Sequence, residues 1–109
     1  MAETIFGKIA RGELAVSLVY EDEKCVAFPD IAPQAPVHIL VIPRHPFEDV
    51  YDADEETLGH LMHVAAKLGA QNCPDGFRLV ANTGAEGGQS VQHLHIHVLG
   101  GRPLTWPPG

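Results

Sequence analysis

Apolar and polar positions along the chain change rhythm several times, and each rhythm predicts an element. Thr4 stands before a stretch in which Ile5, Phe6 and Ile9 share one side. That predicts a helix over residues 5–11, capped by Thr4 and ended by Gly12. Residues 16–21 read as a first strand, Glu21-Asp22-Glu23-Lys24 as a polar turn, and residues 25–28 as the strand that completes a hairpin. Residues 36–43 are apolar on both faces after His38, as a central strand is. Leu58, Leu61, Met62 and Ala65 recur at i, i+3, i+4 and i+7, which predicts one long helix. Asp52 opens it, at capping-box spacing from Glu55. Val64, Ala66, Leu68, Gly69 and Ala70 widen its apolar arc, so one face should cover a sheet and a spare face a second subunit. His60 and His63 lie on another side of this helix and read as solvated or interfacial, with no chemistry. Cys73-Pro74-Asp75-Gly76 ends the helix in a turn, and residues 77–82 alternate as a further strand.

The strictest alternation comes last. In residues 92–99 histidine and aliphatic side chains take turns, so a strand presents different residues to its two faces. His93, His95 and His97 share one face, and Leu94, Ile96 and Val98 share the other. Upstream, Gly84-Ala85-Glu86-Gly87-Gly88-Gln89-Ser90 forms a glycine-rich loop with many backbone N–H groups. Imidazoles beside such a loop suit a phosphorylated ligand. Two other readings stand beside this one. The face could simply be solvated. It could also hold zinc, since His-x-His with a further His is a zinc pattern. Three consecutive same-face positions span about 13 Å, too far for all three rings to meet one ion.

Together these elements make an α+β fold over residues 1–109. It has a mostly antiparallel sheet of about five strands, one long helix and a short N-terminal helix.

Composition narrows the function. The chain has 109 residues, 45% apolar and 19% charged, with a formal net charge of −7. That charge opposes a general nucleic-acid surface, which needs a basic stripe. It permits a mononucleotide held locally by backbone and imidazole groups. No apolar run approaches the ~20 residues of a membrane span. The first residues lack a charged segment leading into an apolar one, so no secretory signal is expected. Cys25 and Cys73 are isolated, as small hydrophobes of a reducing, cytoplasmic compartment are; sequence alone leaves a disulfide open.

The residues from Gly87 to Arg102 contain His93-Leu94-His95-Ile96-His97-Val98-Leu99. This run resembles the signature of the histidine triad family, most closely its nucleotide-binding branch, the purine nucleoside phosphoramidases. The resemblance extends to Thr4-Ile5-Phe6-Gly7-Lys8-Ile9, to Ala27-Phe28-Pro29-Asp30-Ile31 and the stretch after it as far as Pro43, and to Trp106-Pro107-Pro108-Gly109. It implies a fold of this kind and hydrolysis of adenosine or guanosine 5′-phosphoramidates with no cofactor and no metal. It implies that His95 attacks phosphorus, that the His93 carbonyl orients it, that His97 contacts a phosphate oxygen, and that His38 completes the network. Ser90, Gly88 and Gln89 would hold the phosphate and Ser90 would assist the leaving nitrogen, with Asn82 anchoring that end. Asp30 would bind the ribose, and Phe6, Ile9, Phe28 and Ile31 the base. The resemblance also implies a homodimer in which the tail, with Trp106, packs near the partner's site. Other branches would make the chain a dinucleoside polyphosphate hydrolase; a non-catalytic nucleotide- or zinc-binding module is the alternative from another class.

Overall fold

A computed structural model describes residues 3–109. Its elements run α1 (Ile5–Ala10), β1 (Tyr20–Glu21), β2 (Cys25–Pro29), β3 (Val37–Pro43), α2 (Glu55–Asn72), β4 (Phe77–Val80) and β5 (Ile96–Gly100). The strands form one antiparallel sheet in the order β1-β2-β3-β5-β4. The expected α+β architecture is therefore the observed one.

The sheet separates two apolar layers. On one side α2 lays Leu61, Val64, Ala65 and Leu68 over Cys25, Ala27, Ile39, Val41, Leu94, Ile96 and Val98. On the other, Phe6, Ile9 and Ala10 of α1 meet Val26, Phe28, Leu40 and Ile42. Neighbouring residues of β2 and β3 fall in opposite layers because a strand's side chains alternate. Gly69 lets α2 approach β4 closely: a Cβ there would lie within 2.6 Å of the Phe77 ring.

Thr4 caps α1, its hydroxyl accepting from the Gly7 N–H at 3.0 Å, and Gly12 leaves the helix at φ +76°. The start of α2 differs from expectation. Asp54, rather than Asp52, is the cap, accepting from the Thr57 N–H at 2.8 Å. Asp52 instead accepts from the Glu48 N–H at 3.0 Å and closes the preceding turn. The buried stripe is Leu61, Val64, Ala65 and Leu68, with Met62 exposed, because the helix is rotated relative to the expected stripe. His60 has a partner that the sequence did not suggest: its Nε2 lies 2.7 Å from Asp22 Oδ2.

Two strands are shorter than their patterns. β1 has only the pairs Tyr20↔Ala27 and Glu21↔Val26, and residues 16–19 before it are exposed. β5 begins at Ile96, opposite Val41, so His93 and His95 precede the ladder. Leu94 there donates to the carbonyl of Phe47, which lies outside the sheet. Cys25 and Cys73 are buried free thiols, and no described helix is long and apolar enough to cross a membrane.

Candidate functional site

Beside α1, on the sheet face away from α2, lies an open cavity of about 620 Å³. Apolar side chains of Ile5, Phe6, Ile9, Leu14, Val16, Phe28, Ile31 and Leu40 make most of its wall. Its polar groups are Ser17, Asp30, Ser90, His95 and His97. Leu14, Val16 and Ser17 reach it from the segment between α1 and β1, which lies outside the sheet.

The imidazoles are placed by register and by one another. His97 pairs with Leu40 and His38 with Leu99, so both project to the α1 side of the sheet. His38 Nε2 and His97 Nδ1 are 2.9 Å apart. The Gln34 N–H points at His38 Nδ1, at 3.0 Å. A ring nitrogen that accepts carries no proton, so neutral His38 bears its proton on Nε2 and donates to His97. Neutral His97 then bears its proton on Nε2, a buried atom with no partner among the described residues. One backbone N–H thus fixes two tautomers in series.

His95 is fixed separately. Its Nδ1 lies 2.7 Å from the His93 carbonyl, which can only accept, so Nε2 keeps a lone pair. Phe6 packs edge-on to its ring with centroids 5.0 Å apart, and His97 sits at the same centroid distance. The site therefore offers one free lone pair and one free N–H side by side.

Burial keeps these rings neutral. It pushes His38 and His95 below the ordinary histidine value, opposed less strongly at His95 by its bond to the His93 carbonyl and then by Asp30, and at His38 by Asp30. It pushes His97 down to about 4, with His95 and His38 adding repulsion of its charged form. Asp30 sits at the end of β2, with Oδ1 accepting from the Ala32 N–H at 2.8 Å and Oδ2 3.5 Å from His38 Nε2.

The remaining expected residues divide. Phe6, Ile9, Phe28, Asp30, Ile31 and Ser90 line the cavity with His95 and His97. The His93 ring does not: it is 1% exposed and donates from Nε2 to the Pro43 carbonyl at 2.9 Å, pinning the strand entry. His38 stands behind His97. Asn82, Gly88 and Gln89 are outside the wall. The N–H groups of Gly88 and Gln89 close the loop on the carbonyls of Ala85 and Gly84, both at 3.1 Å. The Gln89 side chain braces the loop, donating to the carbonyls of Glu48 at 2.7 Å and Val91 at 3.1 Å. The N–H groups of Ser90 and Val91, both in the cavity wall, have no partner among the described residues. Leu14, Val16, Ser17, Leu40 and Val91 also line the cavity, and the sequence pattern, which places residues 16–21 in a strand, carries no signal for this. Trp106 is 82% exposed on a tail tied down where Arg78 donates to the Thr105 carbonyl at 2.8 Å.

A five-stranded antiparallel sheet carrying ordered, neutral histidines at the edge of an apolar cavity defines a class of small α+β proteins with a histidine-lined ligand site. The HIT domain family matches residues 11–104, and the chain belongs to the histidine triad family. A HIT-like protein of Synechococcus elongatus is 55% identical over 98% of this chain and 97% of its own length. A HIT family hydrolase from Legionella pneumophila superposes with a TM-score of 0.91 at 44% identity, covering 98% of this chain and 100% of that one. A hypothetical histidine triad nucleotide-binding protein from Sulfolobus tokodaii gives a TM-score of 0.78 at 41% identity, covering 87% of this chain and 66% of that one.

Proposed function

We propose that the chain hydrolyses the P–N bond of purine nucleoside 5′-phosphoramidates through a nucleotide bound covalently to His95. The observation that carries this reading is the pairing of tautomers: a lone pair on His95 Nε2 beside an unpartnered N–H on His97 Nε2. Nucleophilic catalysis needs the first, and neutralisation of a charged phosphorus oxygen needs the second. The hydrolase and nucleotide-binding relatives support the reading.

In this scheme the purine lies among Phe6, Ile9, Phe28, Ile31 and Leu40, and Asp30 accepts from the ribose hydroxyls. His95 Nε2 attacks phosphorus while His97 Nε2–H bonds a non-bridging oxygen. The P–N bond breaks, and the Ser90 hydroxyl assists proton delivery to the departing amine. Water then attacks phosphorus, releases the nucleoside monophosphate and restores neutral His95. Ser90 and Val91 supply the backbone donors, with Gly88, Gln89 and Asn82 shaping the loop behind them. Two copies pair in this reading, through the exposed side of α2, with each tail and its Trp106 near the partner's cavity. The compartment is cytoplasmic, where both thiols stay reduced.

The test is intact mass after rapid quench with adenosine 5′-phosphoramidate. An adduct of one adenylyl group, mapped to His95, is expected; an adduct elsewhere, or turnover with none at any quench time, overturns the route. A second reading has one observation in its favour. Ligand atoms of Asp30, His38 and His97 lie within 4.8 Å of one another, as a zinc-binding module requires. Stoichiometric zinc together with no turnover would favour it.

A further inference from the structure

A second group of potential ligands lies on the α2 side of the sheet, remote from the cavity. Asp22 comes from the turn between β1 and β2, Cys25 from the first position of β2, and His60 from the second turn of α2. One carboxylate oxygen, the Cys25 Sγ and one His60 nitrogen all lie within 4.8 Å of one another. We propose that Asp22, Cys25 and His60 form a binding site for a borderline-soft divalent cation of the zinc type, fastening the β1–β2 hairpin to α2.

The donor set fits that class of ion. A thiolate, an imidazole and a carboxylate are three zinc ligands, and the softness of sulfur disfavours magnesium or calcium. Tetrahedral zinc at its usual bond lengths separates its ligand atoms by about 3.3–3.8 Å. The group is therefore nearly assembled, and His60 Nε2 and Asp22 Oδ2, at 2.7 Å, must part slightly to admit the ion. Asp22 and His60 are part-exposed while Cys25 is fully buried, so the fourth position faces water.

The carboxylate is also held as a ligand should be. Its Oδ1 accepts from the N–H groups of Lys24 and Cys25, both at 2.8 Å. Its Oδ2 accepts from the Tyr20 hydroxyl at 2.8 Å. Such outer contacts orient a metal-bound carboxylate. On binding, Cys25 loses its proton to buffer, and the His60 Nε2 lone pair takes the metal with any ring proton on Nδ1; no electrons are transferred.

The probe is cobalt(II) added to chelator-treated full-length protein, read by thiolate-to-cobalt charge-transfer absorption. The band is expected at one equivalent in the natural sequence and unchanged in Cys73→Ser. It should vanish in Cys25→Ser and need about tenfold more cobalt or worse in His60→Ala. His60 is part-exposed, so that variant decides the matter even if Cys25→Ser fails to fold. Absence of a thiolate band at saturating cobalt, a band lost in Cys73→Ser, or one undiminished in His60→Ala overturns the site. Cobalt bound at Asp30, His38 and His97 gives no thiolate band.

Discussion

The two faces of the sheet are built from the same strands and do opposite work. Toward α2, Leu94, Ile96 and Val98 are at most 2% exposed and belong to the apolar cluster beneath that helix. Toward α1, His95 and His97 alternate with them and border an open cavity. An 18-residue helix closes the first face, and a six-residue helix leaves the second partly uncovered. The difference teaches that helix length decides which face becomes core and which becomes site. Substitutions on the two faces should therefore fail differently, one in chemistry and one in stability.

The largest effect expected is on the open face. His95→Ala removes the proposed nucleophile and should lower phosphoramidate kcat about 10⁴-fold or more, with unfolding little changed. Steady-state and single-turnover assays check this, with urea unfolding alongside. Near-normal turnover would sink the role of His95, and collapse of the fold would erase the contrast between faces.

The closed face supplies the converse. Ile96 is 1% exposed against α2, and Ile96→Ala should cost about 3 kcal/mol of stability. Activity per folded molecule should hold, because its side chain points away from the cavity. Urea midpoints and activity under folding conditions separate the two outcomes.

That contrast was largely legible in the sequence. Period-two alternation after residue 91 gave the two faces, and the apolar run at 39–42 gave the central strand. What stayed hidden was decided by partners rather than by pattern. Val16 to Val19 looks like strand, but the ladder pairs begin at Tyr20; Val19 only donates its N–H to the Ala27 carbonyl at 2.8 Å, and Val16 and Ser17 line the cavity. Gln92 to His95 also alternates, yet β3 stops at Pro43, and the His93 ring holds that carbonyl instead. Asp52 and Asp54 both have acceptable spacing for a cap, and the turn after Glu48 claims Asp52. The family resemblance implied phosphate contacts from the backbone of Gly88 and Gln89, but both N–H groups close the loop on its own carbonyls. No local signal joined His60 to Asp22, 38 residues away.

Acid should strain the open face specifically. Folded His97 resists protonation to about 4, whereas an unfolded histidine titrates near 6.5. Between those values the unfolded chain binds more protons, so stability falls as pH falls through that window and levels off below it. His38, His93 and His95, all pushed down mainly by burial, add in the same direction. His97 alone should account for on the order of 3 kcal/mol between pH 7 and pH 4. Urea unfolding across this range should show a shallower slope in His97→Gln; an unchanged slope would place the loss elsewhere.

The smallest effects come from the two helix caps, and they sharpen the comparison most. Thr4 caps the helix that borders the cavity, and Asp54 caps the helix that covers the core. Each loss to alanine should cost about 1 kcal/mol at its own helix. Asp54→Ala should lower the unfolding midpoint with KM unchanged, since α2 contributes nothing to the cavity wall. Thr4→Ala should act locally, because α1 is short and carries Ile5, Phe6 and Ile9 into that wall. Fraying there displaces Phe6 from the His95 ring, so KM for a nucleoside phosphoramidate should rise severalfold while the urea midpoint moves less than in Asp54→Ala. Equal shifts of KM and midpoint in both variants would mean that the faces are coupled through the sheet and that helix length does not assign their roles.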